Sequence, residues 1–422
     1  MSGTGRVLSA LLALALLGGI ALAADSDRLH DETAHNRQNF DETERGRYLA
    51  TLADCTGCHT KPQGGAFMAG GYPIQTPFGT LISPNITPDI DTGIGAWSDD
   101  DFVNAVQRGR ARDGAHLYPA MPYTAYSKMP RADVLAIRAY LATLPPVHNA
   151  VVSNQLPFPF RIRASMIAWN ALFFHDEPFR GDPKKSGEWN RGAYLVAGPA
   201  HCGACHNSKN FLGGDTSNGM LRGGVLQGWN VPDLTEDQRT GLAGWSVDDI
   251  VAYLKTGHNR ISFASGPMAE VIRASTSHWH DDDLHAVAVF LADQPAPEQP
   301  SPPAVAKTDP AMTVGQAIYV DECSACHARN GAGAPNMFPA LKASPIVQSS
   351  DPTTLTRVVL HGTQNVVTAA APTGPSMPAF GWKLTDRQTA AVLTYIRNAW
   401  GNAAPAVDAG QVSKLREAQA GN

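Results

Sequence analysis

Every cysteine of the chain stands in one of three copies of C-x-x-C-H: Cys55-Thr56-Gly57-Cys58-His59, Cys202-Gly203-Ala204-Cys205-His206 and Cys323-Ser324-Ala325-Cys326-His327. This pattern is the attachment signal of a c-type haem. Two intervening residues let one short turn present both sulfurs to the same porphyrin edge, and the adjacent imidazole then reaches the iron from the proximal side. A disulfide framework belongs to short secreted chains, whereas this one has 422 residues. A structural zinc site needs four ligands, and each motif supplies three. A thioredoxin-like pair would sit in a β-α-β pattern, which is absent around all three motifs. The sequence therefore implies three covalently bound haem c groups. Cys55, Cys58, Cys202, Cys205, Cys323 and Cys326 are the attachment residues, and His59, His206 and His327 the proximal ligands.

The N-terminus fits export, and covalent haem is attached outside the cytoplasm in bacteria. Arg6 precedes an uncharged stretch from Val7 to Leu22, and Ala21-Leu22-Ala23 is a small-x-small cleavage site, so residues 1–23 read as a signal peptide. A retained membrane anchor is the alternative, the apolar stretch being near the lower length for spanning. A net charge of −5 argues against nucleic acid as a partner and against purely electrostatic docking to anionic lipid. The 31 prolines and 39 glycines predict many short helices joined by structured loops.

The motifs mark a long internal repeat. A short helix leads into each: Glu44 to Leu49, Asn190 to Leu195 and Val314 to Tyr319, with glycines at 46, 192 and 315 that permit a second helix to cross closely. A closing helix ends each unit at an aromatic residue, Tyr140, Phe290 or Tyr395, read as core. Between them, Trp97-Ser98 and Trp245-Ser246 open helices with serine as N-cap, Asp351-Pro352 opens the third, and Gly109, Gly257 and Gly362 close them. The fold class is all-α, with three tandem cytochrome c domains over residues 40–146, 188–293 and 311–400. Residues 294–310 form a proline- and alanine-rich linker and 401–422 a polar C-terminal tail. The linker 147–187 carries Ile162, Met166, Trp169 and Phe173 on one helical face. That stripe reads first as interdomain packing, and otherwise as a docking stripe for a partner or the membrane interface.

Each iron also needs a distal ligand, and methionine sulfur suits iron of low charge. Met121, Met268 and Met377 each adjoin a proline, which predicts an extended loop able to pass over the haem face. His59 to Met121 and His206 to Met268 both span 62 residues, and His327 to Met377 spans 50. Met129 is the rival in the first unit, and it breaks the matched spacing. His116, His258 and His361 fall at unmatched offsets and read as surface residues or neighbours of the ligands. The turn-rich loops 83–89 and 230–235 hold Asn and Thr that serve either as donors to a haem propionate or methionine sulfur, or as ordinary turn formers.

At this point the chain resembles the triple-haem cytochrome c subunits of bacterial membrane-associated dehydrogenases for alcohols, gluconate, sorbitol, fructose and glucose. The resemblance runs through Asn85-Ile86-Thr87-Pro88-Asp89 with Thr92-Gly93-Ile94-Gly95, Leu117 to Tyr123, Trp189 to Leu195, Gly266 to Glu270 and Met377 to Phe380. It implies a periplasmic-facing electron-transfer subunit with no catalytic residues of its own. A separate catalytic dehydrogenase subunit, carrying flavin or pyrroloquinoline quinone (PQQ), would oxidise the substrate. This chain would pass the electrons to ubiquinone or another respiratory acceptor. It also implies attachment to the periplasmic face of the cytoplasmic membrane. Relatives often end in an apolar segment credited with that role, whereas here the tail is polar, which leaves the 162–174 stripe or a partner. The competing readings are a freestanding periplasmic carrier and a self-contained haem enzyme of the peroxidase or thiosulfate dehydrogenase type.

Overall fold

The computed structural model describes residues 40–296 and 300–420; the signal peptide read over 1–23 lies outside them. One order of elements recurs in the first two units, and the third keeps its helices but carries its strand pair after the middle helix. In the first unit a leading helix α1 (40–52) turns into α2 (Cys55–His59). A hairpin of β1 (Pro73–Thr76) and β2 (Gly79–Ile82) follows, then α3 (Asp99–Arg108), α4 (Tyr123–Tyr126) and the closing helix α5 (Arg131–Ala142). After α6 (Ser165–Phe173) the second unit repeats the series. It runs α7 (Gly187–Ala197), α8 (Gly203–His206), the hairpin β3 (Gly224–Leu226) and β4 (Trp229–Val231), α9 (Val247–Thr256), α10 (Pro267–Ala274) and α11 (Asp281–Leu291). In the third, α12 (Pro310–Ile318) passes through a π turn into α13 (Ser324–His327), then α14 (Pro345–Gln348) and α15 (Thr353–His361). The hairpin β5 (Thr363–Gln364) and β6 (Ser376–Met377), α16 (Asp386–Ile396) and α17 (Ala409–Ala420) complete it. The chain is mostly helical, and the antiparallel hairpins are an addition that helical periodicity did not signal.

Local chemistry sets the helix ends. Ser98 and Ser246 accept from the backbone N–H of Asp101 and Asp249, whose carboxylates accept from the serine N–H in return. Gly109 (φ 60°) and Gly257 (φ 82°) end these helices in the left-handed region that glycine occupies without strain. The glycines of the leading helices do what their spacing predicted. A Cβ on Gly46, Gly192 or Gly315 would lie 1.8, 2.0 or 2.2 Å from the carbonyl oxygen of Ala136, Ala286 or Ala391 on the closing helix. No other residue lets the two helices cross so closely.

The first two units share one hydrophobic core, in which Leu52, Val134, Leu195 and Leu284 are wholly buried. Their junction is reciprocal. Arg45 pairs with Asp133, and the Tyr194 hydroxyl donates to that same carboxylate at 2.9 Å. Arg191 pairs with Asp283 at 2.7 Å, and the Tyr48 hydroxyl donates to it, also at 2.7 Å. Each tyrosine thus crosses to the other unit's closing helix. Burial raises the Asp283 carboxyl, but the Arg191 and Tyr48 hydrogen bonds outweigh it and hold the group below its ordinary value. The third unit has a separate core around Tyr319, Val347 and Leu393. The polar tail folds onto it as α17, burying Val412 and setting Arg416 against Asp386 at 2.8 Å. Replacing both Tyr48 and Tyr194 by Phe removes two hydrogen bonds to buried carboxylates, each worth about 1.5–3 kcal/mol. The expected outcome is a lower melting temperature by circular dichroism, with the third unit's cooperative transition unmoved.

Candidate functional site

The leading helix meets each motif through a sharp turn. The residue before the first cysteine is left-handed in the first two units, Asp54 (φ 47°) and His201 (φ 39°). The motif histidines are then fixed in one repeated way. Nδ1 of His59 donates to the carbonyl of Pro84 at 2.8 Å, that of His206 to Pro232 at 3.0 Å, and that of His327 to Pro339 at 3.0 Å. The opposite nitrogen, Nε2, is left as the one with a free lone pair. Burial lowers all three imidazole pKa values, more than the carbonyl bonds raise them, and so favours the neutral ring.

Glycines bring the proline carbonyls to the rings. The N–H groups of Gly70, Gly223 and Gly333 donate to the carbonyls of His59, His206 and His327 at 2.7, 2.7 and 3.0 Å. All three have positive φ, and a Cβ on any of them would strike the backbone beside the proline. Sequence reading missed these six residues, because the glycines follow their histidines by different distances. It weighed the adjacent Asn and Thr instead; Asn85, Thr87 and Thr235 make local turn bonds, whereas Asn230 lies in β4 with its buried Oδ1 unpartnered among the described residues. Asn85 Nδ2 donates to Thr92 Oγ1 and to the Val147 carbonyl, while its Oδ1 accepts from the Thr87 N–H and hydroxyl. In the second unit Asp233 accepts from Thr235 in the same way and pairs with buried Arg222 at 3.2 Å.

None of the six cysteines is paired in a disulfide. Burial pushes the thiols of Cys55, Cys58, Cys202 and Cys323 up to about 12 and that of Cys205 up to about 11. These are not activated redox cysteines, whose thiols are held low by nearby positive charge. Nor, among the described residues, does any cluster of three His, Cys, Asp or Glu side chains form a metal-ion site. The residues that precede the first two motifs adjoin: the Tyr126 hydroxyl donates to the Ala53 carbonyl at 2.7 Å, and its ring meets that of His201 at 5.6 Å.

The methionines stand in three different settings. Met121 lies in a turn just before α4 and packs on the shared core. Met268 is not on an extended loop but in the first turn of α10, because Pro267 starts a helix there as readily as it ends one. Met377 is in β6, paired with Thr363. Met268 and Val366 of the third unit share a small apolar cluster, so the second and third units adjoin on their methionine sides. Met129 is core, 2% exposed. His116 is half-buried beside Asn170, His258 stacks on Phe263 and His361 is exposed. Among the described residues the Trp245 indole N–H is buried with no acceptor, at the end of the loop that starts at Pro232. An unpaired buried donor there fits a group that brings its own carboxylates, as haem does.

Paired thiols beside a neutral imidazole, repeated on short helices, are the arrangement of a cytochrome c. The cytochrome c family model matches residues 43–145 and 312–400. The chain is 37% identical, over 98% of its length, to the cytochrome c subunit of the quinone alcohol dehydrogenase of Komagataeibacter europaeus, covering 90% of that protein. It is 38% identical, over 97% of its length, to the gluconate 2-dehydrogenase cytochrome c subunit of Pantoea cypripedii, covering 96%. It is 35% identical, again over 97%, to the fructose dehydrogenase cytochrome subunit of Gluconobacter japonicus, covering 88%. The chain belongs to this family of dehydrogenase cytochrome c subunits, electron-transfer proteins that bind haem c covalently.

Asp54 yields a test of the site's electrostatics. Burial pushes its carboxyl up to about 7, and its Oδ1 has no partner. Unfolded, the group ionises near 3.8; folded, it keeps its proton until about pH 7. Its contribution to stability is therefore whole below about pH 4 and lost as the pH rises to 7. Asn tolerates the left-handed backbone and carries no charge. Asp54→Asn is expected to melt several degrees above the wild-type chain at pH 8 and level with it near pH 4, read by thermal denaturation of the haem-loaded protein.

Proposed function

We propose that this chain is the electron-transfer subunit of a periplasmic-facing dehydrogenase complex, relaying electrons from a flavin- or PQQ-carrying catalytic subunit through three haem c groups to ubiquinone or another respiratory acceptor. The observation that carries the reading is the threefold repetition of one device: two thiols on a helical turn, an imidazole held through Nδ1 by a proline carbonyl, and a glycine behind it. It supports three cytochrome c domains over 40–146, 188–293 and 311–400. Cys55, Cys58, Cys202, Cys205, Cys323 and Cys326 would form the thioethers. His59, His206 and His327 would offer Nε2, and Met121, Met268 and Met377 their sulfurs. Haem c held this way supplies a one-electron iron couple. The chain's own part is to fix each ring's tautomer, keep it neutral by burial and hold the three units in contact. Export and attachment to the periplasmic face of the membrane belong to this proposal.

Three outcomes are expected. The purified chain carries three haems by pyridine haemochrome assay. Met121→Ala, Met268→Ala and Met377→Ala each remove about a third of the sulfur-to-iron charge-transfer band and let carbon monoxide bind, whereas Met129→Ala leaves both unchanged. Purified from native membranes, the complex shows substrate-dependent haem reduction with candidate alcohols and sugars, and a second, flavin- or quinone-bearing subunit comes with it. If the chain comes away alone and is reduced only by an added cytochrome or chemical reductant, it is a freestanding carrier.

A further inference from the structure

We propose that the apolar face built from α6, residues 158–162 and the loop 211–212 seats on the anionic headgroup surface of a lipid bilayer. The inference rests on the exported, membrane-facing reading above and names the surface that serves it. No residue of α6 is buried and none is charged, and Ile167 (59% exposed) and Leu172 (63%) face water. A helix apolar all round normally lies in a core. The face extends beyond the helix. Trp169 Nε1 donates to the Leu212 carbonyl at 3.0 Å, and the Phe173 ring lies against Gly214. Phe78 touches both Gly213 and the Phe160 ring, whose centroid is 5.0 Å away. Phe211 (88%) and Phe158 (71%) are among the most exposed large apolar residues described. So extended an apolar surface marks an interaction site rather than scatter.

The charge pattern selects the occupant. From Asn149 to Phe174 there is no Asp or Glu, and the charged residues are Arg161 and Arg163, both exposed, in a chain whose net charge is −5. Arginines flanking Phe, Trp, Ile and Leu on one exposed face suit the boundary between acyl chains and anionic headgroups. No helix among the described residues is long and apolar enough to cross a membrane, so contact of this kind would be interfacial. The placement also serves electron transfer. Asn170 of α6 accepts from the hydroxyl of Tyr123, two residues beyond Met121, and the loop carrying Leu212 follows the second motif. The seat would bring the first two units to the lipid surface, where an acceptor dissolved in the bilayer can be met.

The test is flotation of the haem-loaded full chain with vesicles of phosphatidylglycerol and phosphatidylcholine, against phosphatidylcholine alone. The wild-type chain is expected to float with the anionic vesicles and to be released by salt. Ile167→Glu with Leu172→Glu, both at exposed positions, lowers the bound fraction at least tenfold with the haem spectrum unchanged. Arg161→Gln weakens binding to anionic vesicles about fivefold. Flotation of the double variant like the wild type, or no flotation of the wild type, overturns the proposal. If the double variant still floats but no longer co-purifies with the catalytic subunit, the face is a protein interface and the lipid proposal falls. Substrate-dependent haem reduction in detergent reads the function independently, so failed flotation with normal reduction removes the lipid seat alone.

Discussion

The closest approach in each unit, a leading-helix glycine against an alanine carbonyl of the closing helix, is the constraint on which the rest depends. A unit of roughly a hundred residues has little apolar surface to bury. Drawing two helices into backbone contact leaves the remaining loops free to wrap a motif rather than fill a core. Gly46 against Ala136, Gly192 against Ala286 and Gly315 against Ala391 place the C-x-x-C-H turn at the same point of each unit. The turn then meets the loop whose proline carbonyl fixes the histidine.

Much of this was legible in the chain. The motifs, the crossing glycines, the serine caps of α3 and α9 and the closing glycines follow from chemistry local in sequence. What escaped depends on contacts between distant segments. Pro84, Pro232 and Pro339 act through backbone carbonyls, which carry no side-chain signature, and their supporting glycines sit at irregular intervals. The hairpins escaped because strands of two to four residues are too short for an alternating pattern. Met268 reads as a loop residue because proline both breaks and begins helices, and only the following run to Ala274 decides between them. Of the stripe read on one helical face, Met166, Trp169 and Phe173 lie in α6 while Ile162 precedes it, and the three are half-exposed rather than sealed between units.

The reciprocal junction explains why two units, and not three, share a core. At the positions of Arg45, Tyr48 and Asp133, and of Arg191, Tyr194 and Asp283, the third unit has Val314, Ala317 and Gln388. None can supply the charge or the phenol, and all three are exposed. The third unit instead joins through backbone-directed contacts. Arg239 donates to the carbonyls of Gln348 and Ala403, and the Asn230 N–H donates to the hydroxyl of Thr354. The tyrosine bonds that cross the first junction end on charged carboxylates, which makes them stronger than bonds to neutral carbonyls, although each carboxylate keeps its own unit's arginine when the units part. Hydrogen bonds to carbonyls part more readily, because water replaces them.

That difference bears on how electrons would travel. The first two motifs approach each other beside the shared core, where Tyr126 joins the Ala53 carbonyl to the His201 ring. The second and third units meet through Met268 and Val366, while α10, which carries Met268, also lies against the first unit, where the Tyr72 hydroxyl donates to Glu270 at 3.3 Å and the Ser275 hydroxyl to the Thr51 carbonyl at 2.6 Å. The second unit thus touches both of its neighbours, sharing a core with the first and an apolar cluster with the third. An order of contact from first to second to third therefore follows from the packing itself.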